Sequence, residues 1–158
     1  MATDRTSGLL GARRADPAAG EQPVTLVDTC VLLDILTDDR EWGEWSATAV
    51  ADARDQGELV INPIVYAEVS AGFDRIEDVD AALPAGDFRR EPLPFPAGFL
   101  AAHAFVAYRR SGGVKTSPLP DFYIGAHAQL MDCTLVSRDS ARYKTYFPKL
   151  KLISPKQR

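Results

Sequence analysis

The chain has 158 residues, 46% of them apolar and 25% charged, which is the balance of an ordinary folded domain and excludes a disordered polymer. No apolar run approaches the roughly 18 residues that a membrane-spanning helix requires, and residues 1–22 carry no apolar segment of the signal-peptide type. The two cysteines, Cys30 and Cys133, form no CxxC pair and are predicted as reduced, buried thiols. The sequence therefore predicts a cytoplasmic protein with a mobile tail at residues 1–22, one domain at residues 23–155 and a short C-terminal end at residues 156–158.

The net charge of −4 hides a strong asymmetry along the chain. Residues 1–100 carry 8 Lys and Arg against 19 Asp and Glu, whereas residues 101–158 carry 10 against 3. The two parts thus differ in sign, −11 against +7. This split predicts a basic surface suited to a polyanion beside an acidic one, with an ordinary solvated surface as the alternative.

The first part of the chain alternates short apolar strands with helices. Residues 24–27 are predicted as a buried strand, after which Asp28 and Thr29 offer a cap for a short apolar helix. Asn62 and Pro63 close a second strand and open a helix in the same way. The elements predicted in this part are strands at 24–27, 59–61 and, interrupted by prolines, 88–93, and helices at 30–36, 41–56, 63–72 and 74–83.

The second part continues the alternation around a glycine-containing loop at residues 112–118. A helix at 96–111 is predicted to carry one apolar side, made of Phe99, Leu100, His103, Val106 and Ala107. After the loop, the predicted elements are a helix from Pro120 or Asp121 to Met131, a strand at 134–136, a short helix after Asp139 and a strand at 150–153. Alternating short strands and helices predict an α/β fold with a mainly parallel sheet that carries helices on both faces.

Four acidic residues stand where a predicted strand meets a helix or on the first turns of a helix: Asp28, Glu68, Asp121 and Asp139. A carboxylate beside an apolar strand is costly to bury unless it is paired or binds a cation. Asp28 and Asp139 follow strands, and ligands collect at the carboxyl edge of a parallel sheet. Asp121 falls on a first helical turn, whereas Glu68 reaches the others only if its helix leans across the site. Each acid alone has an explanation as a cap or surface charge, but together they predict a site for a hard divalent cation.

Four sequence blocks carry a resemblance to a known family. They are LVDTCVLLD at residues 26–34, NPIVYAE at 62–68, LPDFYIGAHA at 119–128 and LVSRD at 135–139. In this order and at this spacing they resemble the PIN-domain nucleases, and more narrowly the VapC-type toxins of type II toxin–antitoxin systems, over nearly all of residues 24–153. Cys30 departs from the family, which more often has Asn or Ser at this position.

The resemblance implies a PIN-like three-layer fold and hydrolysis of RNA phosphodiester bonds with Mg²⁺, or Mn²⁺, as the cofactor. The metal ligands and catalytic residues that it implies are Asp28, Glu68, Asp121 and, in an assisting role, Asp139. Hard cations prefer such carboxylate oxygens. Thr29 and Ser137 are carried over as supporting groups that bind water or phosphate. Asp34 stays outside this set, as a surface residue or the cap of the next turn.

The resemblance also implies two protein partners, a small antitoxin and a second copy of the chain. Trp42 and Trp45 lie in the acidic part of the chain and are predicted to be exposed. Exposed aromatic side chains on an acidic surface suit a basic protein partner.

Other side chains are candidates for contacts with RNA. The cations expected to hold phosphates are Arg109, Arg110, Lys115 and Arg138, with Arg142 and Lys144 beside them. Tyr66, Phe122 and Tyr123 are able to stack on bases, although core packing is the more frequent role of aromatic residues on helices. His103 and His127 are predicted to be packed or partly buried, because both lie in apolar helical stretches.

Several other functions compete with a metal-dependent nuclease. Two histidines are in principle enough for an acid–base ribonuclease without metal. An aspartyl phosphotransfer enzyme needs a second carboxylate two residues after Asp28, where Cys30 stands. A dinucleotide-binding fold needs a glycine-rich turn after the first strand, which this chain lacks. The remaining rival is a non-catalytic PIN-like module that binds RNA or protein, and the presence of all four acids counts against it.

Overall fold

The computed structural model describes residues 22–156. Apart from Gln22, the tail predicted at residues 1–22 lies outside the described residues, as do residues 157 and 158. The strands are β1 (Val24–Val27), β2 (Glu58–Ile61), β3 (Phe88–Arg90), β4 (Thr134–Val136) and β5 (Lys151–Ile153). The helices are α1 (Thr29–Leu36), α2 (Gly43–Gln56), α3 (Pro63–Ser70), α4 (Ile76–Ala82), α5 (Phe95–Arg110), α6 (Pro120–Met131) and α7 (Ser140–Tyr146).

The strands within residues 22–156 form one sheet in the order β3-β2-β1-β4-β5, and each neighbouring pair is parallel. The central strands are short apolar runs because a parallel sheet is covered on both faces and leaves no polar side to alternate with. The buried apolar residues of β1, β2 and β4 are Leu26, Val27, Leu59, Val60, Ile61, Leu135 and Val136. This architecture confirms the predicted α/β fold, with a sheet that is parallel throughout.

The strand order reverses at β1, which lies between β2 and β4. Crossovers that run in opposite directions from such a point place their helices on opposite faces and open a crevice at the carboxyl ends of the two strands. Val27 pairs with Val136, and the Asp28 N–H donates to the Val136 carbonyl at 3.0 Å. The next residues of the two strands, Asp28 and Ser137, are therefore neighbours at this crevice.

The helices begin and end within two residues of the predicted bounds. The third strand is shorter than the predicted range 88–93 and ends at Arg90. The Glu91 N–H still donates to the Ile61 carbonyl at 2.9 Å, but Pro92 follows and has no N–H with which to extend the ladder. Within residues 22–156, no helix has both the length and the apolar character to cross a membrane.

Helix α5 buries a different face from the predicted one. Its core-facing residues are Ala97, Ala101 and Ala104, which pack along α6, whereas Phe99 is 66% and Val106 44% exposed. Small alanine side chains let two helices approach closely, so the larger apolar residues of α5 point away from the contact. The side of α5 with the larger apolar residues is therefore not the buried one, and Phe99 and Val106 on it form an exposed apolar stripe.

Gly57 lies where the end of α2 passes against the backbone before β1. A Cβ at this position would lie far inside contact distance of the Pro23 carbonyl oxygen, to which the Glu58 N–H donates at 3.0 Å. Gly57→Ala is expected to lower the free energy of unfolding by about 2 to 3 kcal/mol, because the obstructing atom belongs to the backbone and the start of β1 must shift.

Gly98→Ala in α5 is the matched control for this substitution. Its Cβ would meet no atom within 4 Å, and alanine in a helix is more stable than glycine by about 0.5 to 1 kcal/mol. Urea unfolding of both variants should therefore show changes of opposite sign. A Gly57→Ala protein as stable as the wild type would contradict the expected clash.

Candidate active site

Asp28 is the centre of a group of buried polar side chains at the carboxyl ends of β1 and β4. It caps α1, where its Oδ1 accepts the Thr29 N–H at 2.8 Å. Its Oδ2 accepts the Ser137 hydroxyl at 2.6 Å and the Tyr143 hydroxyl at 3.0 Å, and the Cys30 Sγ lies 3.7 Å from the same oxygen. Asp28 is only 4% exposed. These contacts use nearly all of the positions at which the buried carboxylate can accept a hydrogen bond.

Burial raises the pKa of Asp28 from 3.8 to about 6. The hydrogen bonds from Ser137, Tyr143 and Thr29 lower this pKa, and the negative charge of Asp121 raises it. Burial and the charge of Asp28 also raise the pKa of the Cys30 thiol, which therefore stays neutral. The site thus holds negative charge at an energetic cost that a cation would relieve.

Asp121 approaches Asp28 from the first turn of α6. Arg142 donates from Nη1 to its Oδ2 at 2.9 Å. Burial raises the pKa of Asp121, the Arg142 contact lowers it, and the negative charge of Asp139 raises it. The Tyr143 hydroxyl lowers the pKa of Asp121 as well as that of Asp28, while its own pKa lies well above the usual value because of burial and both negative charges. Tyr143 is therefore a neutral hydroxyl between two carboxylates.

Glu68 joins the group through Thr29. The Thr29 hydroxyl donates to Oε1 of Glu68 at 2.8 Å, across the contact between α1 and α3. The two helices thus bring Glu68 beside the turn that carries Asp28, which is the leaning arrangement that the sequence required. Thr29 serves both acids, since its backbone N–H binds Asp28 and its hydroxyl binds Glu68.

The four acids are linked through their charges and shared hydrogen-bonding partners, but they do not form a metal cage. Within residues 22–156, no three His, Cys, Asp or Glu side chains are arranged to hold a metal ion. Asp28, Glu68 and Asp121 are bonded to side chains of the protein instead, and Asp139 is exposed, with its backbone N–H on the Ser137 hydroxyl at 3.0 Å. The donor set of carboxylate oxygens nevertheless has the chemistry that Mg²⁺ and Mn²⁺ prefer.

The family model of the PIN domain matches residues 25–148. The chain belongs to the PIN domain family. Its fold is similar to that of VapBC2 from Rickettsia felis bound to a promoter DNA fragment, with a TM-score of 0.63 and 15% identity over 83% of this chain and 98% of that one. It is also similar to a toxin–antitoxin complex from Klebsiella pneumoniae, with a TM-score of 0.61 and 22% identity over 85% and 99%. A third similar structure is VapBC-1 from nontypeable Haemophilus influenzae, with a TM-score of 0.62 and 16% identity over 83% of this chain and 97% of that one. No curated protein is similar enough in sequence to match.

A buried amide–imidazole pair joins two helices of this PIN domain that carry candidate acids. Asn62 caps α3 by accepting the Val65 N–H at 3.0 Å, and its Nδ2 donates to Nδ1 of His127 on α6 at 3.1 Å. Burial lowers the pKa of His127, so the ring is neutral and Nδ1 is free of a proton. His127 is 1% exposed, and its predicted burial is confirmed. Its hydrogen bond with Asn62 connects α3, which carries Glu68, to α6, which carries Asp121.

Asp34 and Arg138 have roles that differ from the predicted ones. Asp34 is only 3% exposed and lies inside α1, so its prediction as a surface or capping residue was wrong. Arg138 donates to it from Nε at 2.5 Å and from Nη2 at 2.9 Å, and the Ser46 hydroxyl donates at 2.7 Å. The Arg138 guanidinium also lies over the Trp42 ring, 5.4 Å from its centre. Arg138, a predicted phosphate contact, is committed to a buried ion pair.

Among the remaining predicted phosphate contacts, Arg109 binds its own loop. Its Nη1 donates to the carbonyls of Gly113 and Lys115 at 3.0 and 3.1 Å. Arg110 and Lys115 are exposed. Arg109 thus shapes the loop that leads into α6, and the loop presents the Lys115 side chain to solvent.

The aromatic and histidine predictions met mixed outcomes. Trp42 and Trp45 are half-buried, so their predicted exposure was wrong. His103 is exposed beside Phe99, with ring centres 4.4 Å apart, and its predicted burial was also wrong. Phe122 is fully buried, in keeping with the core role that is usual for such residues.

The sequence analysis did not identify Tyr143 as a site residue or Arg142 as the partner of Asp121. A signal for Tyr143 existed, because Tyr143 and Phe147 stand four residues apart and both are buried at the α7 end of the core. A buried tyrosine must place its hydroxyl on a polar partner, and the acids of a predicted site are the obvious acceptors. No local pattern reveals the contact between Arg142 and Asp121, because the two residues are 21 positions apart and lie on different helices.

Proposed function

We propose that this PIN domain is a metal-dependent endoribonuclease of the VapC type, the toxin of a toxin–antitoxin pair. The observation that carries the proposal is that the Tyr143 hydroxyl donates to Asp28 and also acts on Asp121, while the negative charge of Asp121 raises the pKa of Asp28. Crowded buried carboxylates destabilise a fold, and they cluster where a protein needs them for chemistry. Membership of the PIN domain family and the likeness to solved toxin–antitoxin complexes support the same reaction.

The proposed ligands of Mg²⁺ or Mn²⁺ are Asp28, Glu68, Asp121 and, assisting, Asp139. A divalent cation bound there supplies an activated water and neutralises charge that develops on the phosphate during hydrolysis. Ser137 and Tyr143 fix one oxygen of Asp28, and Thr29 fixes Glu68. These bonds orient the carboxylates in advance, which lowers the cost of assembling the reactive site.

The RNA backbone is proposed to lie along the cations near α6. Arg142 brings positive charge to Asp121 at the edge of the site, and its side chain is 38% exposed. Arg110 and Lys115 are exposed cations on the segment before α6. Such contacts hold phosphates by charge and carry no sequence information.

An antitoxin and a second copy of the chain are the proposed protein partners. The Klebsiella pneumoniae neighbour is a toxin–antitoxin complex. On this chain, Phe95, Phe99 and Val106 of α5 are 98%, 66% and 44% exposed. Large apolar side chains in a row on a helix are typical of protein-binding surfaces. Phe99→Glu should convert an oligomer to a smaller species in light scattering, and an unchanged mass would leave the stripe without this role.

The nuclease proposal is tested by RNA cleavage with purified protein. Cleavage is expected with Mg²⁺ or Mn²⁺ and is expected to stop in EDTA. Glu68→Gln and Asp121→Asn should each slow cleavage by about 100-fold or more, equivalent to about 3 kcal/mol of barrier. Asp132→Asn is the matched control, because Asp132 is exposed, has a φ of 50° that asparagine tolerates, and should keep full activity.

Two results would replace the proposal with its rivals. Cleavage that persists in EDTA and in both acid variants would favour acid–base chemistry without metal. A protein that binds RNA tightly in every metal buffer and cleaves none would be the non-catalytic binding module.

A further inference from the structure

A cavity of about 370 Å³ opens beside Asp139. Residues of three chain segments line it, chiefly Glu41, Trp42, Arg138, Asp139, Pro155 and Lys156. We call it the Trp42 cavity. Its size falls within the range of small-ligand sites, and it is contiguous with the proposed active site because Asp139 belongs to both.

The Trp42 cavity contains a rigid flat platform. Two hydrogen bonds to the buried Asp34 fix the plane of the Arg138 guanidinium, and the Trp42 ring lies 5.4 Å from it. The Arg138 side chain is still 30% exposed. Unstacked nucleobases bind to aromatic rings and to arginine planes of this kind. Because the platform is held in place before a ligand arrives, little conformational entropy is lost on binding.

We infer that the Trp42 cavity binds a nucleobase of the RNA strand, next to the phosphate that is cleaved at the acidic site. The inference rests on the proposed nuclease function. A base fits the cavity better than a phosphate does, because Asp34 already neutralises Arg138 and the carboxylate of Glu41 repels an anion. Glu41 can instead accept a hydrogen bond from an exocyclic amino group, as carboxylates do from cytosine. Lys156 at the rim meets the phosphate that joins this base to its neighbour.

The chain offers an unusually clean probe, since Trp42 and Trp45 are its two tryptophans. They lie three residues apart, and Trp45 lines a different cavity, with Ala49 and Ile153. Trp45→Phe leaves Trp42 as the single tryptophan, and Trp42→Phe leaves Trp45, so tryptophan fluorescence reports on one position at a time. The probes are single-stranded hexaribonucleotides and a hexamer of abasic ribose phosphates, added in EDTA so that no cleavage occurs.

The expected result is saturable quenching of Trp42 by the base-containing hexamers and none by the abasic hexamer. Trp45 should respond to neither. Trp42→Leu should weaken hexamer binding by about tenfold, the usual loss for one stacked base, and Trp42→Phe should restore most of it. Trp45→Leu, a matched loss of a half-buried indole, should leave the affinity unchanged.

Three outcomes would overturn the inference. The first is equal quenching of Trp42 and Trp45 by the hexamers, and the second is quenching of Trp42 by the abasic hexamer. The third is a change in Trp42 fluorescence with a purified protein partner but with no RNA. The binding readout is independent of cleavage. If the protein cleaves RNA but bases do not quench Trp42, only the proposed base-binding cavity is contradicted. If bases quench Trp42 but the protein cleaves no RNA, only the nuclease proposal is contradicted.

Discussion

Asp28→Asn should abolish RNA cleavage and at the same time stabilise the metal-free protein at pH 7.5. The ionised Asp28 carboxylate is buried, and its pKa rises from 3.8 to about 6 in the folded state. A difference of this size corresponds to about 3 kcal/mol. Asparagine carries no charge and recovers part of this free energy, because its single oxygen replaces only one of two acceptors, the one for the Thr29 N–H or the one for the Ser137 and Tyr143 hydroxyls. The measurement is urea unfolding in EDTA, beside the cleavage rate in Mg²⁺.

The pH dependence of this stabilisation has a defined sign. The pKa of Asp28 is higher in the folded state than in the unfolded state, so below pH 3.8 Asp28 is protonated in both states and costs the wild type no stability. As the pH rises from 3.8 through about 6, the wild type loses stability. The advantage of Asp28→Asn should therefore be absent near pH 3.8 and complete above about pH 6. Subtracting one protein from the other cancels the opposite effect of His127, whose lowered pKa makes both lose stability on acidification.

Added Mg²⁺ provides the control for the same substitution. The wild type should gain stability with Mg²⁺ at pH 7.5, since a ligand that binds only the folded state raises the free energy of unfolding. Asp28→Asn should gain little, and Asp132→Asn should behave like the wild type in every buffer. A variant that is less stable than the wild type in EDTA at pH 7.5 would contradict the assigned cost of the Asp28 charge.

Arg138→Ala should be the most destabilising of the arginine substitutions. It leaves Asp34, which is 3% exposed, with only the Ser46 hydroxyl as its partner. Removing one partner of a buried ion pair costs about 3 to 5 kcal/mol, and the partial exposure of Arg138 places the expected loss at about 3 kcal/mol. Thermal unfolding should show a decrease in Tm of about 6 to 12 °C for a chain of this size.

The matched control is Arg54→Ala. Arg54 pairs with Asp87 at the surface, where the side chains are 37% and 36% exposed, and such pairs contribute at most about 1 kcal/mol. Combining Arg138→Met with Asp34→Leu should recover part of the stability, since it removes both charges. Equal losses for Arg138→Ala and Arg54→Ala would show that Arg138 is no more than a surface residue.

The sequence was sufficient for the parts of the fold that depend on local pattern. Apolar runs and caps located the strands and helices, and the position of Asp28 after a strand followed from the rule for parallel sheets. It was insufficient where packing chooses among apolar residues. On α5 the contact with α6 selected Ala97, Ala101 and Ala104 for burial, although Phe99 and Val106 are the more hydrophobic residues.

The same limit applies to the candidate site. The four acids could be identified from the sequence because a charged residue next to an apolar strand is unusual and is apparent from the neighbouring residues alone. Their partners were harder to identify, because Tyr143 and Arg142 reach Asp28 and Asp121 through tertiary contacts, and only Tyr143 carried a local signal, its spacing from Phe147. Arg138 and Asp34 are 104 residues apart in the sequence, so their ion pair has no local signal. Arg138 was therefore predicted to contact phosphate, whereas in the fold it pairs with Asp34.

The bonds on Asp28 also set when a newly made chain acquires its site. Asp28 emerges early in synthesis, but its hydroxyl donors Ser137 and Tyr143 follow 109 and 115 residues later. Contacts between such distant residues form late, after long loops have closed. An incomplete chain on the ribosome therefore carries the acid without its partners. For a protein proposed to destroy RNA, this delay separates its own translation from its activity.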